Sequence, residues 1–469
     1  LDTLAKPGGI CISDMVFRQV QGKLDMEFVD MGDRKLKNIP EPVKTYQRVT
    51  AKIHRRDLLE RTGPSPPYTA LPLPAKPSLA VLPFIDLDMN QAQDHFSDGL
   101  TMDIMTALVQ IPSLFLISDS TTFSIKDKPM SVPEIGRRLG VQYVLDGGVR
   151  HAGNRLRISA RLSETEQGRQ IWAQRFDREM GNIFEIQDEI TSEIVTAMDI
   201  KLVSGEPARH VRKTVKNPDA LEYYYRGWSA MFSSSPEYIQ QSQRMFEEMI
   251  RLEPDSSLGH SVGAWAYWWG IFKDASDDRD RDLNRVQNLV SKAQALGDDT
   301  GMADLVMAHL HLLNKDHEKA LAAAEQAVIT RPSCDVSFAV KASILNFLGR
   351  PDEAISLARY AIRLSPVYPS YYPIVLGFAY YHCGKYNEAR EAAEVSINAD
   401  PTDLEALILM TAIHAAMGAM EQARETAITI RNIHAGFSTA DFAANHPYQN
   451  QKHLDQILTH LSQAGLSDR

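Results

Sequence analysis

Three aspartates, Asp98, Asp146 and Asp177, share one α/β-like stretch of the chain and are of the type that general acid or base work requires. No His, Cys or Ser is placed with them to form a relay, and capping or turn duties account for each. Gly147-Gly148 lacks the spacing and the strand-to-helix setting of a phosphate loop, and reads as a bulge or a tight strand crossing. The acidic run Asp274, Asp277, Asp278, Asp280 and Asp282 brings calcium to mind. It has neither the turn glycine nor the distal bidentate glutamate of an EF-hand loop, so a solvated insertion is expected. His309 and His311 stand two apart on a helix and face different ways, which argues against a shared metal. No catalytic or metal-ligating set emerges. What remains is binding chemistry: the cluster Tyr371, Tyr372, Phe378, Tyr380 and Tyr381 is dense for solvent and is the candidate hot spot for a peptide.

Those aromatics belong to a repeat. Aligning Ala320, Ala354 and Ala389 brings Ala324, Ala358 and Ala393 into register, then Ala327, Ala361 and Ser396, then Pro332, Pro366 and Pro401. A fourth copy on Ala423 keeps Ala427 but carries Ile430 and Ala435 at the last two positions. Small residues at helical spacing let two helices approach closely, and the proline stops the second helix because it lacks an N–H and clashes with the preceding turn. Gly349, Gly384 and Gly418, each five residues before its alanine, fall in the turn between paired helices, where positive φ is useful. A single hairpin cannot bury its apolar face, so the copies must stack into a solenoid. Leu221 to Pro254 reads as a divergent first repeat, with Gly227 and Phe246 in plausible positions, and Leu454 to Leu466 as an amphipathic helix that caps the open end.

The chain's 469 residues allow about three domains at roughly 150 residues each. A formal net charge of −10, with no basic face, argues against nucleic acid as a partner. No run approaches the ~20 apolar residues of a membrane span. Cys11, Cys334 and Cys383 lie far apart without metal-ligand spacing, and no export signal is visible, so a reducing, cytoplasmic location is expected. The first residue is Leu, which reads as a fragment that begins inside a larger protein.

The expected fold is multidomain: an incomplete α/β fragment, a compact α/β module, then an all-α solenoid. Residues 1–50 read as strand, helix and hairpin, too little to close a core alone. Residues 51–77 hold Pro64, Pro66, Pro67, Pro72, Pro74 and Pro77 and form an extended spacer. Residues 78–203 hold a buried strand at Leu79 to Phe84, a helix from Phe96 to Val109, a helix opened by Ser131 and Pro133 with Glu134 placed for a capping box, an antiparallel meander, and a closing helix from Ile183. Residues 204–218 are a hinge, 219–435 the repeats and 436–469 the capping helix.

These stretches resemble known families. The repeats resemble tetratricopeptide arrays in period and small-residue pattern. That resemblance implies a groove lined by the first helix of each pair, presenting Met302, Leu305 and His309, then Val336, Ala339 and Ser343, then Tyr371, Ile374, Phe378 and Tyr381. A protein or peptide is the implied partner, and Tyr371, Ile374, Phe378, Tyr381 and His309 are the candidate contact residues. Residues 78–203 resemble the TolB N-terminal-like or FlgO-like domain, a non-catalytic module, through Leu79-Ala80-Val81-Leu82-Pro83-Phe84, Phe96-Ser97-Asp98-Gly99-Leu100, Tyr143 to Arg150 and Ile171 to Asp177.

The opening stretch resembles the C-terminal end of a class III nucleotide cyclase domain, through Gly8 to Ser13, Phe28 to Asp33, Leu36 to Ile39, Pro42-Val43 and Tyr46. In that family the metal-binding aspartates and the asparagine and arginine that stabilise the transition state lie upstream of such a stretch. This chain alone is therefore expected to be inactive, without a cofactor of its own, with Mg²⁺ or Mn²⁺ belonging to the intact cyclase domain. Lys37 (or Lys35) is the nearest match to a phosphate-contacting lysine, and a homodimer through the absent part of the domain is the association the resemblance implies. The expected function is the regulatory, partner-binding portion of an adenylate or guanylate cyclase. The alternatives are a stand-alone scaffold with a relic cyclase segment and an envelope-associated TolB-like component.

Overall fold

The computed structural model describes residues 11–13, 28–34, 43–48, 71–87, 94–126, 128–152, 155–179, 189–190, 193–194, 215, 217–231, 236–273 and 275–466. They fall into two compact units, Leu1–Pro67 and Tyr68–Arg469. In the first, β1 (Cys11–Ser13), β2 (Phe28–Arg34) and β3 (Val43–Arg48) form an antiparallel sheet in the order β1-β3-β2, with a register shift between Asp30 and Asp33. The expected strands are present. The expected helix before β2, Lys35, Lys37 and the spacer up to residue 70 lie outside the described residues.

In the second unit, β4 (Ser78–Val81) is followed by β5 (Ile85–Asp86), α1 (Asp94–Leu108), β6 (Phe115–Leu116), α2 (Asp119–Ser124) and α3 (Val132–Leu139). The meander β7 (Tyr143–Ala152), β8 (Arg155–Glu164) and β9 (Gln170–Glu179) completes a mixed sheet in the order β6-β4-β7-β8-β9. β4 runs parallel to both its neighbours while β7, β8 and β9 are antiparallel. Burial of β4 on both faces explains its continuous apolar run. Ser131 stands at the start of α3 in an extended conformation but makes no side-chain cap bond, so the expected capping box does not form there; Gly140 closes the helix at φ 64°. The closing helix expected from Ile183 lies largely outside the described residues.

Twelve further helices form six antiparallel pairs. These are α4 (Pro218–Met231) with α5 (Pro236–Leu252), α6 (Ser257–Phe272) with α7 (Arg279–Ala295), and α8 (Met302–Leu313) with α9 (His317–Thr330). Then come α10 (Asp335–Phe347) with α11 (Pro351–Leu364), α12 (Tyr371–His382) with α13 (Tyr386–Ala399), and α14 (Leu404–Ala416) with α15 (Met420–Ile433). The aligned small residues are buried on the second helix of each of the last four pairs, and Ser396 satisfies its hydroxyl by donating to Ser370 O at 2.8 Å. Gly349, Gly384 and Gly418 sit between paired helices at φ 78°, 71° and 76°. The equivalent residue of the third pair is Lys315, at φ 58°, a side-chain-bearing residue in a conformation that favours glycine. In the divergent first pair, a Cβ on Gly227 would overlap the Phe246 ring, which is why α4 and α5 can lie so close.

The α/β module and the solenoid share a core. Leu79, Phe84 and Leu156 belong to the same buried cluster as Tyr224, Tyr225, Phe246 and Trp265. Tyr225 of α4 packs where a side chain at Gly99 would stand and donates to Asp103 at 2.8 Å. Further along, Ser333 Oγ donates to Leu114 O at 2.8 Å and Ser118 Oγ to Ser365 Oγ at 2.8 Å. Arg363 donates to Leu139 O (3.0 Å), Gly140 O (2.7 Å) and Pro72 O (2.9 Å), with its guanidinium 4.8 Å from the Phe115 ring. Residues 71–77 therefore run against the module rather than serving as free spacer.

Candidate partner-binding surface

The aspartates that looked available for proton transfer are engaged in ion pairs. Asp146 stands opposite Arg161 and pairs with it at 2.8 Å, Asp177 stands opposite Arg157 at 2.6 Å, and Asp98 pairs with Lys126 at 2.6 Å. Cross-strand pairing, not the capping or turns expected from sequence, places the first two. Gly147-Gly148 is neither a bulge nor a crossing: both stay in register with β8, β5 pairs parallel with β7 beside them, and Phe84 and Leu87 fill the space a Cβ would need. In the acidic run, Asp278 caps α7 by accepting from Arg281 N, while Asp282 is buried and bonded to Ser276 (2.7 Å) and Arg281 (3.0 Å). The one titratable pair of note lies at the junction of module and solenoid. Asp335 accepts from Tyr372 OH at 2.9 Å, and burial, then the nearby Asp119, raise its pKa to about 6.

The aromatic candidates separate into two groups. Ile374, Phe378 and Tyr381 are buried, at 6%, 9% and 0% exposure, and pack with Leu345, Leu409 and Ile413 in the core of the last pairs. Helix α12 is apolar on all sides because it is sandwiched between neighbours, and this takes these three off any open groove. Met302, Leu305 and Ala339 are likewise buried. Tyr371 and His309 remain partly exposed. His309 stacks on Trp268 at 4.6 Å, and its desolvation there lowers its pKa to about 4, so it offers a neutral imidazole.

Around Tyr371 the solenoid builds a surface that the sequence reading did not single out. The Tyr371 ring meets Phe272, at the end of α6, edge-to-face at 5.7 Å. Phe272 is 45% exposed and stacks on Trp269 (5.4 Å), which stacks in turn on Trp265 (5.9 Å). Lys273 lies over both Trp269 (5.1 Å) and Phe272 (5.7 Å). Burial lowers its pKa, opposed by Asp403 and Asp400. The first helix of the second pair thus touches the first helix of the fifth, so the repeats curl tightly enough to bring Trp269, Phe272 and Tyr371 into one ladder. Its sequence signal was present in the helical spacing of Trp265, Trp268, Trp269 and Phe272. The contact with Tyr371, about a hundred residues away, depends on the superhelical pitch.

No family model matches the chain. Over 261 residues it is 36% identical to the putative adenylate cyclase 3 of Rhizobium meliloti (strain 1021), a match covering 56% of this chain and 44% of that protein. Over 89 residues it is 32% identical to the small glutamine-rich tetratricopeptide repeat-containing protein 2 of Mycosarcoma maydis, covering 19% of this chain and 25% of that one. The chain thus spans less than half the length of the curated relatives it matches. Among solved structures, the APC/C hetero-tetramer Cut9-Hcn1 superposes with a TM-score of 0.42 at 11% identity, over 79% of this chain and 58% of that one. The tetratricopeptide-like architecture is read here from the chain's own helix pairs and their spacing.

Proposed function

We propose that this chain is the regulatory, protein-binding part of a class III nucleotide cyclase, in which the solenoid recruits a protein or peptide partner and the TolB-like module braces it. The observation that carries the reading is the cyclase-like order of residues 8–46, together with the chain's 36% identity over 261 residues to a putative adenylate cyclase. The partner surface is the ladder of Trp269, Phe272 and Tyr371 with Lys273 at its side. Aromatic rings held rigid by stacking give large contact area at low entropic cost. The catalytic metal ions, Mg²⁺ or Mn²⁺, belong to the cyclase domain. The test is expression of the natural coding sequence, extended upstream as far as it runs, and assay with ATP or GTP and Mn²⁺, with and without Phe272→Ala and Tyr371→Ala. Cyclic nucleotide formation whose response to a captured partner is lost in these variants supports the reading. Partner capture with no cyclic nucleotide would favour a scaffold carrying a relic segment instead.

A further inference from the structure

The C-terminal segment does more than close the open end of the array. After α15, an exposed connection through Gly436 leads to α16 (Thr439–Asn445) and α17 (Gln451–Gln463). α17 packs on α14, burying Leu454, Ile457 and Leu461. The strap between α16 and α17 then reaches back along the array. His446 pairs with Glu405 of the sixth pair at 3.1 Å, and Tyr448 OH lies 3.1 Å from His382 Nε2 of the fifth. Gln449 N donates to Phe347 O of the fourth at 2.9 Å, and His317 Nε2 of the third lies 2.7 Å from Pro447 O. A cap would need to cover only the last pair; this strap engages four.

We infer that the face of α10, α12 and α14 beneath this strap is a helix-accepting surface, occupied in cis by residues 438–466 and open to a partner offering an amphipathic helix with apolar residues at the Leu454, Ile457 and Leu461 spacing. The inference rests on the reading of the solenoid as a binding scaffold and names the chemistry of a second partner site. Two features favour exchange. Two of the strap's four polar contacts are made by its main chain, at Pro447 O and Gln449 N, and any extended segment can supply these. The fit to the resident segment is also incomplete: His382 and His453 stack face to face at 4.2 Å, and the Nδ1 atom of each is buried without a hydrogen-bond partner among the described residues. An unmet buried polar atom weakens the complex that contains it, so a competing helix with a donor or acceptor at the His453 position gains over the resident one. Tyr381 is hidden partly by this segment, its OH 2.5 Å from His460 Nδ1.

The experiment uses the full chain and a fluorescein-labelled synthetic peptide of residues 438–466, with a scrambled peptide as control. Wild type is expected to take up little peptide. The double variant Ile457→Asp, Leu461→Asp, whose own α17 cannot dock, should bind it at least tenfold more tightly than wild type does, and adding Tyr381→Ala should remove that gain. Equal binding by wild type and variant, or no preference over the scrambled peptide, overturns the inference. If the double variant loses helix by circular dichroism, hydrogen exchange of wild type decides. Opening of residues 451–463 ahead of α12 to α15 supports the inference, and exchange only on global unfolding overturns it. Failure of the chain to capture any cellular protein, with the peptide result intact, would count against the scaffold reading alone.

Discussion

Arg363→Ala should loosen the solenoid from the α/β module, and the size of the effect follows from what the side chain touches. The guanidinium meets the last carbonyls of α3, Leu139 O and Gly140 O, at 3.0 and 2.7 Å. These belong to the unpaired end of a helix, where a cation is favoured by roughly 0.5 kcal/mol. Each part-buried carbonyl left without its charged donor costs about 1 kcal/mol, and loss of the cation–π contact with Phe115 about 0.5 kcal/mol. The bond to Pro72 O is exposed and water can replace it, so it adds little. Together the expected loss is about 3 kcal/mol. Urea denaturation followed by tryptophan emission reports on both halves, because Trp172 lies on β9 while Trp228, Trp265, Trp268 and Trp269 lie in the solenoid. Wild type should unfold in one transition, as a shared core requires. The alanine variant should unfold earlier or in two steps, and Arg363→Lys should recover less than half the loss because an ammonium cannot span two carbonyls. A loss below about 1 kcal/mol, or full recovery by lysine, would refute the reasoning.

Lys315→Gly should stabilise the chain by about 1 kcal/mol by removing the cost of positive φ, measured as a shift of the urea midpoint at unchanged slope. Phe378→Ala should cost roughly 3–5 kcal/mol of stability, since it empties a buried site. Phe272→Ala should leave stability within about 0.5 kcal/mol and weaken partner capture by tenfold or more in a pull-down titration. Acidification should destabilise the fold. His309 and His382 have folded pKa values of about 4 and about 3, below the ordinary 6.5, so their contribution is complete above pH 6.5 and is lost as pH falls toward those values. Asp335, raised to about 6, acts oppositely, gaining as pH falls from 6, and His446, raised through Glu405, also opposes the loss. Because His260, His414, His453 and His460 are lowered as well and Asp119, Asp146, Asp304 and Asp403 raised, the histidine contribution is read as a difference: between pH 6 and 4 the thermal midpoint should fall less in the double variant His309→Phe, His382→Phe than in wild type. An equal fall in both would contradict the assigned burial.

The repeats were legible because their determinants are local. An alanine that must sit against the partner helix, a proline that ends it and a glycine that turns between them recur at fixed spacing, and each plays its expected part. The meander was legible for the same reason, as alternation over Val141 to Phe176. The sites were harder. Tyr381 looks like part of an exposed aromatic cluster in sequence, but burial is decided by what covers it, and α17 arrives from some seventy residues downstream to set His460 against it. The docking of the module against the repeats rests on single residues such as Tyr225, Ser333 and Arg363, whose partners carry no pattern in the sequence.

An array of stacked helix pairs ordinarily bends and twists like a spring, because each repeat grips only its neighbours. Here the module is pinned at α4 by Tyr225, at the turn between the third and fourth pairs by Ser333, and at the next turn by Ser365. Successive attachment points on one rigid body fix the pitch between them. Tension or torque applied at the far end would therefore travel through the first four pairs undamped, as through a strut, while the last two pairs yield only as far as the strap that ties them to the third and fourth allows.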